Sequence, residues 1–443
     1  MIDVTEAKEN YRAQFARFEQ ELARNGQGWT SSLRGAAISR FAELGFPTTR
    51  EEEWKYTNVA PIARIPFAPA SAEPDTSGLT QALADLAFRD PMAPQLVFIN
   101  GSYVQELSAV HTLPQHVRVE SLASALSADR GQVEPHLARY ASYQAHAFTA
   151  LNTAFMRDGA FIHVPRGTIV EQPIHLVFIS TASGEATVSY PRNLIVMDAD
   201  SQAAIVESYL GLDNQVYLTA AVTEIVVADH SVLEHYTLQQ ESKQAFHVAL
   251  LQVHQGRSSN VTCHSIALGG ALVRNEANVV LDGEGAECTL NGLYMVTGQQ
   301  HVDNHTRIDH VKPHGTSREL YKGVLDGRAR GVFSGKIYVH PAAQKTDAKQ
   351  TNKNLLLSQD ALIDTKPQLE IYNNDVKCGH GSTIGRLDED ALFYLRARGI
   401  GLEEARSLLT YAFASEIISR MKIEPLSVKL NELLLTWLPK KQD

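Results

Sequence analysis

The chain has 443 residues, of which 44% are hydrophobic and 20% are charged. This composition is sufficient for a large core and excludes a globally disordered protein. The formal net charge of −10 at pH 7 gives no broad positive surface for nucleic acid or for an anionic membrane.

The cysteines are sparse, and no two of them have the C-x-x-C spacing: they are Cys263, Cys288 and Cys378. A disulfide framework is therefore not expected, and the sequence predicts a reducing, cytoplasmic location. Three cysteines also cannot complete a four-cysteine zinc or iron–sulfur site within one chain. No apolar run approaches a membrane span, and the acidic N-terminus does not resemble a signal or transit peptide.

The pattern of residues 1–150 predicts an N-terminal helical and mixed region that includes a linker. Apolar residues recur on one face of a first helix: Tyr11, Phe15, Phe18 and Leu22. A second helix is expected over 33–44, because Gly45 and Pro47 follow it. The Pro-rich and Ala-rich residues 61–74 predict the linker, and a strand is expected over 96–99, before an Asn100-Gly101 turn.

Residues 151–385 are expected to form a β-rich core. Short β-rich runs alternate there with turn residues, and runs of similar ending begin at Val196, Val226 and Val280. The second interval between these runs is a little under twice the first. A repeating unit of roughly 30 residues accounts for both intervals and predicts stacked β coils. A long β-sandwich is the competing interpretation.

Residues 386–443 are expected to form a C-terminal helical region. Asp388 is a suitable N-cap with acids in the following turn, and Gly399 and Gly401 end the first helix before a second begins near Leu402. Capping of an open coil end is one interpretation of such helices.

Two apparent motifs do not hold. The stretch from Gly331 to Ile337 has three residues between its glycines where a phosphate loop needs four, and it lacks the Ser or Thr that holds magnesium.

His301 and His305 have the same strand parity, whereas His310 and His314 have the opposite one. That difference disfavours a metal site made of four histidines.

A nearby group could supply the acids and bases of a β-helix carbohydrate-active enzyme: Asp309, Lys322, Asp326 and Arg328. No spacing requires these side chains to converge. The alternative interpretation is that they are polar residues of a turn and its surroundings, with no catalytic role.

Cys378 and His380 form the pattern that most favours a site. Residues two apart share a face in an extended segment, and thiolate sulfur and imidazole nitrogen suit iron, zinc or copper(I). Lys377 is expected to favour the thiolate. Two donors do not hold a cluster, so further ligands would come from another chain. A buried cysteine beside a turn histidine is the alternative.

The sequence around this pair resembles the signature of the SufB/SufD family, over residues 366–372, 375–381 and 388–400. Supporting matches are at 53–57, 321–324, 343–346 and 354–358. The Cys-x-His-Gly form at Cys378 resembles the SufD branch of the family. The resemblance extends over nearly the whole chain.

The resemblance implies a mainly β fold, a right-handed parallel β-helix flanked by N- and C-terminal α-helical regions. It implies a non-catalytic subunit of a SufB–SufC–SufD scaffold complex that assembles nascent iron–sulfur clusters. His380 and Cys378 would be metal ligands shared with SufB at the β-helix interface, for a transient cluster or iron.

The same resemblance implies that the C-terminal helices, at about 388–425, dock the SufC ATPase. This chain itself is expected to bind no nucleotide, and in isolation it could form a homodimer. The alternatives are a carbohydrate-active enzyme and a purely structural adaptor in which Cys378 and His380 are inert.

Overall fold

The structure is a computed structural model that describes residues 4–23, 28–70, 93–110, 113–128, 130–181, 185–211 and 214–438. The α-helices of this part of the chain are α1 (Val4–Ala23), α2 (Ser31–Leu44), α3 (Ala60–Arg64), α4 (Leu122–Ala128), α5 (Arg130–Val133), α6 (Ala147–Phe155), α7 (Glu389–Ala397), α8 (Leu402–Ile418) and α9 (Glu424–Trp437). None of them is long and apolar enough to cross a membrane.

The first two helices form where apolar spacing predicts them. Tyr11, Phe18 and Leu22 are buried on one face of α1, where they pack with Phe41 of α2 and Phe155 of α6. The residues expected to form a linker, 61–74, contain part of α3 and the short strand Ala68–Pro69. Residues 71–74 lie outside the described ranges.

The strands that precede the repeating coils are β1 (Ala68–Pro69), β2 (Gln95–Ile99), β3 (Ser102–Tyr103), β4 (Arg118–Ser121), β5 (Ala160–Val164), β6 (Ile174–Ser180) and β7 (Thr187–Ser189). The predicted strand at 96–99 is confirmed as β2. It pairs with β6, so the region before residue 150 already contributes to the β core.

The repeating coils contain the longer strands β8 (Arg192–Met197), β9 (Gln202–Gly211), β10 (Tyr217–Val227), β11 (Val232–Gln240), β12 (Phe246–Gln255), β13 (Asn260–Ala267), β14 (Leu272–Leu281), β15 (Glu287–Val296), β16 (His301–His310), β17 (Thr316–Leu325), β18 (Arg330–Val339), β19 (Asp347–Leu356), β20 (Leu362–Ile371) and β21 (Lys377–Gly385). Even-numbered strands from β8 onward belong to an 11-stranded sheet, and odd-numbered strands from β9 onward belong to a 10-stranded sheet.

The two sheets are the faces of a β-solenoid. Each strand from β8 to β19 pairs in parallel with the strand two places later. The offset, which is the sequence separation between paired residues, differs from coil to coil: Phe246 pairs with Leu272, and Arg330 pairs with Leu362. The expectation of a parallel β-helix between helical ends is confirmed. The β-sandwich interpretation is wrong, because sandwiches are built of antiparallel strands.

One corner of the coils repeats a left-handed turn. His230, Ser258, Gly285 and His314 have φ of 62°, 50°, 68° and 62°, at equivalent positions of successive coils. The backbone N–H of each donates to a carbonyl of the next coil; the His230 bond to Arg257 is 2.8 Å long. The corner is thus held by backbone contacts between coils.

The interior of the solenoid is lined largely by apolar side chains, and both cysteines of the middle coils lie there. Cys263 and Cys288 are buried there beside Leu290. The C-terminal helices α8 and α9 pack on the outer face of the 10-stranded sheet, where Ile417 and Leu430 contact a cluster that includes Leu293.

Candidate functional site

The solenoid ends at β20 and β21, whose outer edges have no partner strand in the described chain. β20 pairs with β18, and β21 pairs with β19. Helices α8 and α9 pack beside the 10-stranded sheet and most residues of β21 are exposed, so these helices do not cap this end. Large apolar side chains are exposed at the open end: Leu362, Ile371, Tyr372 and Ile384.

Cys378 and His380 lie on β21 and face the interior of this last coil. Cys378 is paired with Ala348 and His380 with Gln350, and both partners are buried inward-facing residues. Cys378 packs against the interior cluster that includes Ile337. The expectation that residues 378 and 380 share a face is confirmed.

The two side chains differ in exposure. Cys378 is half-buried, whereas His380 is exposed at the open end. Gly379 and Gly381 point the other way, and a Cβ added at either would meet no atom within 4 Å. The outer face of β21 is therefore bare backbone beside the histidine.

Burial raises the pKa of the Cys378 thiol, and the neighbouring Asp347 carboxylate acts in the same direction, against a backbone hydrogen bond from Ala348. The expectation that Lys377 favours the thiolate is therefore wrong, because burial dominates. A metal would have to displace the thiol proton on binding.

In the described part of the chain, no group of three or more His, Cys, Asp or Glu side chains is arranged to hold a metal ion. Cys378 and His380 offer two donors of suitable chemistry.

The histidine group is divided, although strand parity applies only as far as His310, because His314 lies in the turn after β16. His301 and His305 face outward, where they contact Thr57 and Asp303, and His310 points inward to the hydroxyl of Ser317. The four histidines do not converge.

The acids and bases considered for carbohydrate cleavage are also separated. Asp309 lies on β16 and pairs with Arg307, whereas Lys322 lies on β17, in the other sheet, and its Nζ donates to Glu416 of α8 at 2.6 Å. Asp326 and Arg328 lie in the turn after β17. The stretch from Gly331 to Ile337 is part of strand β18 and has no phosphate-loop geometry.

Comparison with known proteins identifies the family. A family model described as "SUF system FeS cluster assembly, SufBD core domain" matches residues 178–413, and one described as "SufBD protein N-terminal region" matches residues 5–176. The chain belongs to the SufB/SufD family.

Relatives match this member of the SufB/SufD family over most of its length. An iron–sulfur cluster assembly SufBD family protein of Synechocystis sp. is 34% identical over 90% of this chain and 89% of its own. The iron–sulfur cluster assembly protein SufD of Escherichia coli is 31% identical over 88% of each chain. SufD of Bacillus subtilis is 26% identical over 95% of this chain and 96% of its own. These matches support a role in iron–sulfur cluster assembly.

The C-terminal helices of this SufB/SufD family member contain a second candidate surface. The Asp388 carboxylate accepts hydrogen bonds from the backbone N–H groups of Asp390 and Ala391, at 2.9 and 3.3 Å, which confirms it as the N-cap of α7. Phe393 and Tyr394 of α7 are 75% and 56% exposed. Such exposure of aromatic rings favours a partner contact.

Sequence reasoning missed two buried polar residues beneath His380. Glu319 of β17 and Gln350 of β19 are buried at inward positions. Strand alternation could have found them, because an acid at an inward position must have a polar partner. Burial raises the pKa of Glu319 to about 7.

Proposed function

We propose that this chain is a SufD-like, non-catalytic subunit of a cytoplasmic SufB–SufC–SufD complex that assembles nascent iron–sulfur clusters. The observation that carries the proposal is the open end of the solenoid. Two strand edges that have no partner in the described ranges meet there, and Cys378 and His380 point from one of them, β21, into the last coil.

The unpaired edges of β20 and β21 are the contact for SufB. An uncovered strand edge presents free N–H and C=O groups that a strand of another chain can pair with. The exposed apolar side chains of Leu362 and Ile384 would be buried by the same contact. Without SufB, the same edges would join two copies of this chain.

The nascent cluster, or iron, is the cargo of this interface and not a resident cofactor. His380 offers a ring nitrogen, and Cys378 offers sulfur once its thiol proton is displaced. SufB would supply the remaining ligands, because this chain brings two donors to the interface.

The C-terminal helices dock SufC. Exposed apolar side chains on α7 and α8 support this assignment: Phe393, Tyr394, Leu402 and Leu408. SufC would hydrolyse ATP, and this chain would contribute the surface on which the conformational changes of SufC act.

The ligand proposal is tested by co-expressing this chain with SufB and SufC and purifying the complex without oxygen. His380→Ala is expected to lower bound iron and sulfide per complex, and Cys378→Ala to lower them less, because burial raises the pKa of the Cys378 thiol and a metal must displace its proton. His314→Ala is the matched control, since His314 is 57% exposed in a turn two coils before the one that leads into β21. An unchanged cluster yield for His380→Ala in an intact complex would support the structural adaptor instead.

The docking proposal is tested by Phe393→Glu, which places a charge on the exposed face of α7. We expect SufC to be lost from the purified complex while SufB is retained. Ile169→Glu is the control, because Ile169 is 58% exposed elsewhere on the molecule. Retention of SufC by Phe393→Glu would contradict this assignment of the docking surface.

A further inference from the structure

A buried polar column lies directly beneath His380. The register pairs Glu319 of β17 with Gln350 of β19, and Gln350 with His380 of β21. Paired residues of adjacent strands are about 5 Å apart and point to the same face. The three side chains therefore follow one another along the interior of the last coils, with the candidate ligand at the open end.

The orientation of the Gln350 amide is determined by Glu319. Gln350 Nε2 donates to Glu319 Oε2 at 2.7 Å, and the two residues are 1% and 4% exposed. In its ionised form Glu319 only accepts, so the amide nitrogen then faces it. Gln350 Oε1 is left as a buried acceptor without a hydrogen-bond partner.

Gly335 leaves the space that this amide occupies. A Cβ at Gly335 would lie 2.3 Å from Gln350 Nε2. The Gln350 amide is thus held by a hydrogen bond to Glu319 and by close packing against Gly335.

A buried carbonyl oxygen without a partner is costly, and the next side chain of the column can satisfy it. When a neutral imidazole donates its N–H to a fixed acceptor, its lone pair is on the other nitrogen, which is then free to bind a metal.

We propose that Gln350, held by Glu319, is a positioning residue for His380. Its Oε1 accepts the N–H of one ring nitrogen when a partner strand covers the open end, and the other nitrogen is then directed at the cargo metal. The inference rests on the proposed function, since it assumes that His380 binds metal.

The test uses the complex of this chain with SufB and SufC, titrated with Co²⁺ without oxygen. Affinity and the visible absorption of bound Co²⁺ are both recorded. Gln350→Leu removes the acceptor at similar volume, and we expect affinity to fall about 10- to 100-fold, as for other residues that orient a metal ligand. The absorption bands should change shape because the imidazole is no longer oriented.

An exchanged pair provides the rescue. Glu319→Gln combined with Gln350→Glu keeps the hydrogen bond within the column and presents a carboxylate oxygen to His380, so affinity should recover. Asn352→Leu is the matched control, because Asn352 is a buried amide of the same strand in the neighbouring column, bonded to the Tyr294 hydroxyl at 3.2 Å. The affinity of the Asn352→Leu complex for Co²⁺ should stay near that of the parent complex.

The outcomes separate the two proposals. If His380→Ala does not weaken Co²⁺ binding, the proposed ligand role of His380 fails. If His380→Ala weakens binding but Gln350→Leu does not, the ligand role stands and the positioning role is refuted. Equal losses in Gln350→Leu and Asn352→Leu would also refute it, because the effect would then be a general loss of packing.

Discussion

Arg192 and Glu224 form a buried ion pair that joins the N-terminal region to the solenoid. Both side chains are fully buried, and the guanidinium also donates to Asn152 and Thr153 of α6, each at 3.1 Å. The Glu224 carboxylate accepts three backbone N–H groups from residues 138–141, at 2.8, 2.9 and 2.9 Å. Arg192→Met would leave this carboxylate charged, buried and without its cation.

Removal of one partner of a buried ion pair costs about 3–5 kcal/mol. An unfolding entropy of about 2.1 cal/mol/K per residue gives about 0.9 kcal/mol/K for the whole chain. The midpoint temperature of thermal unfolding should therefore fall by about 3–5 °C. Differential scanning calorimetry measures this change. Arg166→Met is the control, because the Arg166 side chain is 78% exposed in its pair with Asp200, and the expected loss is below about 1 °C.

A second variant distinguishes the unpaired charge from lost packing. Arg192→Met combined with Glu224→Gln removes both charges and should recover part of the lost stability. Equal midpoints for Arg192→Met and Arg166→Met would refute the reasoning, as would a double variant less stable than Arg192→Met.

Three further predictions concern the coils and the C-terminal helices. The folded-state pKa of Glu319 is raised from 4.5 to about 7, so its stabilisation is complete below pH 4.5 and lost as pH rises through 7. In urea unfolding, the free energy of unfolding of the wild type should therefore fall by about 3 kcal/mol relative to that of Glu319→Gln between pH 4.5 and 8. If the difference between the two free energies stayed constant over this range, a raised pKa of Glu319 would be contradicted. Gly292→Ala places a Cβ 2.2 Å from the Tyr321 ring and should cost about 1–3 kcal/mol in the same assay. Gly379→Ala meets no atom within 4 Å and should be nearly neutral. Asp388→Ala removes the N-cap of α7 and should cost about 0.5–2 kcal/mol locally, measured as faster amide hydrogen exchange in α7.

Much of the fold is determined by patterns between near neighbours in the sequence. The spacing of Tyr11, Phe18 and Leu22 predicts α1, and Asp388 predicts the start of α7. The approximate repeat of β-rich runs and turns predicts the stacked coils. These features depend on interactions within one turn or one coil, so the amino-acid order is sufficient to identify them.

The candidate site is only partly determined in this way. Alternation shows that Cys378 and His380 share a face, but not that this face is the interior of the last coil. The prediction that Lys377 favours the thiolate failed because burial of Cys378 raises its pKa, and burial depends on the packing of other coils.

The tertiary structure alone decided which distant residues meet. The offset between paired strands varies from coil to coil, so the average repeat cannot say that Glu319, Gln350 and His380 share one column. A shift of one residue in the register of β19 would turn Gln350 to the outer face. Register in a solenoid is set by the length and packing of each turn, and those depend on contacts between coils that the linear sequence does not display.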